Sequence, residues 1–131
     1  MNKKILYIED NEQNLYLVTY ILQKSGYEVI AARDGQQGIE AASRIQPALI
    51  LLDIQLPGMD GYAVARKLRE AGVLADTPII AVTSYAMVGD RERALEAGCT
   101  GYIEKPINPE TFLSQIELHL RERSSPGGTA S

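Results

Sequence analysis

The chain has 131 residues, a formal charge of −4 and a single cysteine, Cys99; one domain of that length buries roughly two thirds of its unfolded surface, enough for a core without staples. The lone cysteine excludes an internal disulfide framework, no apolar run reaches the roughly 20 residues of a membrane-spanning helix, and Lys3-Lys4 leads into only Ile5 to Ile8 before two acids, unlike a secretory signal. Basic residues lie scattered among acids (Arg66, Lys67, Arg69, Glu70; Arg91, Glu92, Arg93), which argues against direct nucleic-acid binding. A reducing, cytoplasmic location is expected, with no membrane partner.

In chain order, apolar runs of strand length fall at Lys4 to Ile8, Tyr27 to Ala31, Ala48 to Leu52, Pro78 to Val82 and Gly101 to Glu104, with helix-length segments between them. Gly26 closes the first helix, Asp34 N-caps the second and Asp60 the third, Gly98 ends the fourth, and Asn108-Pro109 supplies the N-cap and first residue of the fifth. The pattern reads (βα)5. A run such as Ala48-Leu49-Ile50-Leu51-Leu52 must be covered on both faces, which predicts a parallel sheet with helices on each side, a doubly wound α/β sandwich. Residues 124–131, Ser-Ser-Pro-Gly-Gly-Thr-Ala-Ser, cannot pack a core and read as a disordered tail or linker remnant after a domain spanning 1–123.

Open α/β sheets place their sites at the carboxyl ends of the strands. Here the first strand ends in Glu9-Asp10, the third in Asp53, the fourth in Thr83-Ser84 and the fifth in Glu104-Lys105-Pro106. Two carboxylates about 4 Å apart repel by on the order of 4 kcal/mol at an effective dielectric of about 20, so Glu9, Asp10 and Asp53 together call for a cation. Mg²⁺ suits a site with few carboxylates and room for a phosphate oxygen, whereas Ca²⁺ wants more oxygens and zinc wants His or Cys. A metal and Lys105 around a free carboxylate is the equipment for phosphoryl transfer, and Asp53, at the end of the most apolar strand, is the candidate nucleophile.

Glu9-Asp10, Asp53, the Leu56-Pro57-Gly58-Met59-Asp60-Gly61 loop, Thr83 and Lys105-Pro106 closely resemble the receiver domains of two-component response regulators. The resemblance implies a CheY-like fold with sheet order 2-1-3-4-5. It also implies phosphorylation of Asp53 by a phosphohistidine donor, either a sensor histidine kinase or a histidine phosphotransfer protein. Mg²⁺ would be held by Asp10, Asp53 and the Gln55 carbonyl, with Glu9 acting largely through water. Lys105 would pair with the phosphoryl group, Thr83 with Ser84 beside it would bind a phosphoryl oxygen, Tyr102 would turn inward behind it, and the Lys105-Pro106 bond would be cis. Such a protein is a switch rather than an enzyme: it catalyses only its own aspartyl phosphorylation and dephosphorylation, and it passes the signal to a downstream protein.

On the first helix Leu15, Val18, Ile21 and Leu22 share the core face, leaving Gln13, Tyr16, Leu17 and Tyr20 opposite as a candidate docking stripe for the phosphodonor. The fourth helix reads as the soft element, with Gly89 interrupting it and little apolar content besides Met87, Val88 and Leu95. His119 reads as a surface residue. Three rival readings are weaker, one of them a degenerate receiver used as a scaffold, which the intact constellation disfavours. A haloacid-dehalogenase-type phosphatase wants an acid where Gln55 stands, and the phosphate loop of a flavodoxin-like FMN carrier would be repelled by Glu9-Asp10-Asn11-Glu12.

Overall fold

The computed structural model describes residues 3–56, 58, 60–70, 76–84 and 88–124, the side chains of 122–124 excepted. Pro57, Met59, Met87 and the segment 125–131 lie outside the described residues. Five strands, β1 (Lys4–Ile8), β2 (Glu28–Ala32), β3 (Leu49–Asp53), β4 (Ile79–Thr83) and β5 (Gly101–Glu104), alternate with helices α1 (Glu12–Lys24), α2 (Gly35–Ile45), α3 (Gly61–Glu70), α4 (Asp90–Glu96) and α5 (Pro109–Ser124). Every strand pairing is parallel and the order is β2-β1-β3-β4-β5, as expected.

Alternation along the strands divides the core in two. Leu6, Ile8, Ile50, Leu52, Ile79 and Ala81 pack on one face against Ala41 and Ala42 of α2, Val64, Ala65 and Leu68 of α3 and Ala94 of α4. Ile5, Tyr7, Leu49, Leu51, Ile80 and Val82 pack on the other against Leu15, Val18 and Leu22 of α1 and Phe112, Ile116 and Leu120 of α5. All five residues of β3 and of β4 are buried, which is why these two segments read as unbroken apolar runs.

β2, β3 and β4 each begin and end one residue later than the apolar runs predict. A ladder ends where its neighbour's backbone ends, not where side chains stop being apolar. Asp53 pairs with Val82 and Thr83 with Glu104, so both polar residues belong to strands. Their backbones are thereby held by the rigid sheet rather than by a loop.

The helix caps follow local chemistry. Asp34 Oδ1 accepts from Gln37 N at 2.8 Å, Asn108 Oδ1 from Glu110 N at 2.9 Å and Asp60 Oδ1 from Tyr62 N at 3.0 Å. Gly26 and Gly98 follow α1 and α4 with φ of 95° and 107°. A Cβ on Gly61 would come within 2.5 Å of the Ile54 Cα, so α3 starts hard against the chain leaving β3.

Two expectations are corrected. Gly89 does not interrupt α4 but precedes it, at φ 89°, and the helix is only seven residues long. His119 is half-buried rather than on the surface: it lies over Gly101, where a Cβ would meet its Nε2 at 2.6 Å.

Candidate functional site

Four strand ends meet at one edge of the sheet. Glu9 follows β1 and donates its N–H to the Ala32 carbonyl at 2.9 Å, which keeps the chain in line with the sheet for one residue more. Asp53 closes β3. Both side chains are buried, whereas Asp10 is exposed, and oxygens of all three carboxylates lie within 4.8 Å of one another. Lys105, just beyond β5, reaches between them, with Nζ 3.0 Å from Glu9 Oε1 and 3.4 Å from Asp53 Oδ2. Its backbone N–H donates to the Thr83 carbonyl at 2.7 Å and the following peptide to Pro106 is cis.

Burial, and then Glu9, raise the Asp53 carboxyl from the ordinary 3.8 to about 6, against the Gln55 N–H and Lys105, which favour the charged form. Burial pushes Glu9 up as well, but hydrogen bonds from Asp53, Lys105 and Tyr7 outweigh it and hold Glu9 below its usual value. Below about pH 6 the two buried acids therefore share a proton, held on Asp53.

Glu9 is also the most heavily bonded of the three acids. Its Oε1 accepts from the Tyr7 hydroxyl at 2.9 Å and from Asn14 Nδ2 at 3.4 Å, and its Oε2 accepts from the Asn11 N–H at 3.2 Å. Burial, then Glu9, pushes the Tyr7 phenol well above its usual range, so it stands as a neutral donor. Sequence reading passed over these three residues. The available signal was the two-residue strand period, which puts Tyr7 on the same side as Glu9.

Gln55 is tied to both halves of the site: its N–H donates to Asp53 Oδ1 at 2.9 Å and its side-chain oxygen accepts from the Ser84 N–H at 3.0 Å. The loop after β3 is thereby linked to the end of β4, where Thr83 is buried and Ser84 exposed. Tyr102 packs half-buried against the first core cluster, and its hydroxyl is the one buried side-chain polar atom among the described residues without a hydrogen bond. Pro106 and Tyr102 also line a groove of about 310 Å³ with Arg91, Glu104, Thr111 and Gln115.

The docking stripe divides. Tyr16 and Tyr20 are 75% and 55% exposed with rings stacked 6.5 Å apart, and Gln13 is exposed, but Leu17 is half-buried against the second core cluster. The two tyrosines border a groove of about 370 Å³ completed by Glu12, Thr19, Gln23 and Arg33. Among the described residues no helix is long and apolar enough to cross a membrane.

The donor set at the strand ends is all oxygen, with two buried carboxylates and one open to solvent, which fits a hard divalent cation such as Mg²⁺ rather than zinc. One of those buried carboxylates, Asp53, lies 3.4 Å from the Lys105 ammonium, so a carboxylate and a cation able to receive negative charge stand side by side.

Known proteins share this fold. The family model described as the response regulator receiver domain matches residues 5–117. The polar-differentiation response regulator DivK of Brucella anthropi is 42% identical over 120 residues, 92% of this chain and 98% of that one. A CheY-like receiver domain protein from Methanospirillum hungatei is 32% identical, with a TM-score of 0.90 over 97% of this chain and 100% of that one. The receiver domain of the sensor histidine kinase PA1611 from Pseudomonas aeruginosa, solved with a magnesium ion coordinated in its active-site cleft, is 34% identical, with a TM-score of 0.80 over 93% and 97% of the two chains. Receiver domains are signalling switches that work with histidine kinases or phosphotransfer partners, and this chain belongs to the receiver domain family of two-component response regulators.

Proposed function

We propose that residues 1–123 act as one phosphoacceptor unit in which Asp53 takes a phosphoryl group from a phosphohistidine on a sensor kinase or phosphotransfer protein. The observation that carries this reading is the Lys105 ammonium set between Glu9 and the buried Asp53 at the strand ends. An Asp53 oxygen attacks phosphorus as the donor's P–N bond breaks, and the bonding pair leaves on the imidazole nitrogen. Asp10, Asp53 and the Gln55 carbonyl would hold Mg²⁺, with Glu9 acting through water; when bound, the ion supplies positive charge to the phosphoryl oxygens. Lys105 then exchanges its carboxylate contacts for a phosphoryl oxygen, and Thr83, backed by Ser84, donates to another. Tyr102, paired across the ladder with Ala81 two residues before Thr83, has an unspent hydroxyl, so inward rotation breaks no hydrogen bond of that group.

Intact mass after incubation with acetyl phosphate tests this directly. One phosphoryl adduct is expected on the wild type with Mg²⁺, and none on Asp53→Asn or with a chelator. An adduct that persists in Asp53→Asn would move the chemistry to another residue.

The groove bordered by Tyr102 and Thr111 on α4, β5 and α5 is the proposed output face toward a downstream protein. For the phosphodonor, Gln13, Tyr16, Leu17 and Tyr20 of α1 form the proposed docking surface, with Tyr16 and Tyr20 as its exposed anchors and Leu17 fixing the helix beneath them. Substituting both tyrosines with serine is expected to slow transfer from the protein donor at least tenfold, about the loss of one interface anchor. Transfer from acetyl phosphate stays unchanged. Equal slowing of both would remove α1 from the docking surface.

A further inference from the structure

Tyr7 is fully buried, among the largest side chains that are, and its ring lies in the core between the sheet and α1 and α5. Packing alone accounts for the ring. It does not account for the hydroxyl, because a phenylalanine would fill nearly the same space without bringing a polar group out of water. The hydroxyl ends 2.9 Å from Glu9 Oε1, at the edge of the core where the site begins.

The other holders of Glu9 differ in kind. Asn14 reaches it from α1 at 3.4 Å and Asn11 through a loop N–H at 3.2 Å, both long contacts. Lys105 lies 3.0 Å from Glu9 Oε1 but also 3.4 Å from Asp53, and a phosphoryl group on Asp53 competes for the same ammonium. Once that ammonium turns away, Tyr7 is the short bond left on Glu9 Oε1, and it is mounted on a central strand with no freedom to follow.

We propose that Tyr7 is a positioning residue that fixes the Glu9 carboxylate for the metal site and keeps it bonded while Lys105 changes partners. The assignment rests on the Mg²⁺-dependent phosphoacceptor reading above. Groups that orient the residues around a metal typically affect its affinity 10–100-fold; Glu9 is expected to act through water, so a smaller factor applies here.

The test is calorimetric titration of the metal-free protein with MgCl₂ for the wild type, Tyr7→Phe, Glu9→Asp and the double variant, with thermal melting to confirm that each is folded. Tyr7→Phe keeps the ring and is expected to weaken Mg²⁺ binding by about three- to tenfold. In the Glu9→Asp background, where the carboxylate is one methylene short of the hydroxyl, the same substitution is expected to change nothing further. Unchanged Mg²⁺ affinity in Tyr7→Phe would make the tyrosine a core filler and overturn the assignment. So would an equal loss in both backgrounds, because the effect would then not pass through Glu9. A wild type that binds no Mg²⁺ would instead overturn the metal reading itself, and the assignment with it, an outcome visible before any variant is made.

Discussion

In metal-free buffer near pH 7, Asp53→Asn melts above the wild type by roughly 5–10 °C, the shift expected in a domain of this size when a penalty of a few kcal/mol is removed. The penalty comes from burying a carboxyl beside Glu9, which lifts Asp53 from 3.8 to about 6. A carboxyl raised in the folded state binds more protons there than in the unfolded chain between those two values. Its contribution is therefore most favourable below about pH 4 and is lost as the pH rises through about 6, a difference on the order of 3 kcal/mol. Asparagine has no charge to bury and keeps an oxygen for the Gln55 N–H. Glu9 is held below its usual value, so of the pair it is Asp53 whose charged form is penalised. Calorimetry from pH 4 to 8 should thus show the two proteins converging at the acid end, separating between about pH 4 and pH 6, and keeping a constant gap above that. Mg²⁺ should close the gap at neutral pH, since a ligand at a hundred times its Kd stabilises by about 2.7 kcal/mol. Identical melting curves at pH 7 without metal would mean that Asp53 is not strained by its surroundings.

The same strained carboxyl was legible in the sequence for a simple reason. Asp53 follows Leu49-Ile50-Leu51-Leu52, and a run that apolar fixes both a central strand and the place where it stops being core. Glu9-Asp10 after β1 and Lys105 after β5 were legible on the same terms, because strand ends in a parallel sheet converge whatever the intervening helices do. The strand order, by contrast, came from the family resemblance: apolar runs say that strands are covered on both faces but not which strand is next to which.

Contacts that depend on side-chain direction stayed out of reach. The Tyr7 hydroxyl on Glu9 joins a residue that patterning assigns wholly to the core with one it assigns wholly to the site. The Gln55 side-chain bond to the Ser84 N–H links two loops whose separation no one-dimensional pattern encodes. Gly89 was misplaced because a helical stretch and the turn before it have similar composition, and only its φ of 89° separates them. His119 was misread because Gly101, eighteen residues earlier on β5, leaves the room that the imidazole fills.

Lys105→Met should be the most destabilising change at the site in the absence of metal, by about 3–5 kcal/mol at pH 7.5, the usual result of removing one partner from a buried ion pair. Methionine replaces most of the aliphatic stem, so the loss reports the charge rather than the volume. With the ammonium gone, nothing cationic among the described side chains stands between Glu9 Oε1 and Asp53 Oδ2, which it now meets at 3.0 and 3.4 Å. The two carboxylates then face each other in a buried setting, and the proton on Asp53 is held to still higher pH. Two consequences distinguish this from ordinary loss of packing. Denaturant unfolding at pH 5 should recover much of the lost stability, because protonation removes the repulsion that the lysine had offset. Mg²⁺ should stabilise the variant more than it stabilises the wild type, since in the variant the ion is the sole compensating charge. A deficit that ignores both pH and Mg²⁺ would show that Lys105 supports the turn after β5 and not the acids. A deficit that responds to both would identify its ammonium as occupying, in the resting protein, part of the role that a divalent cation and a phosphoryl group contest during signalling.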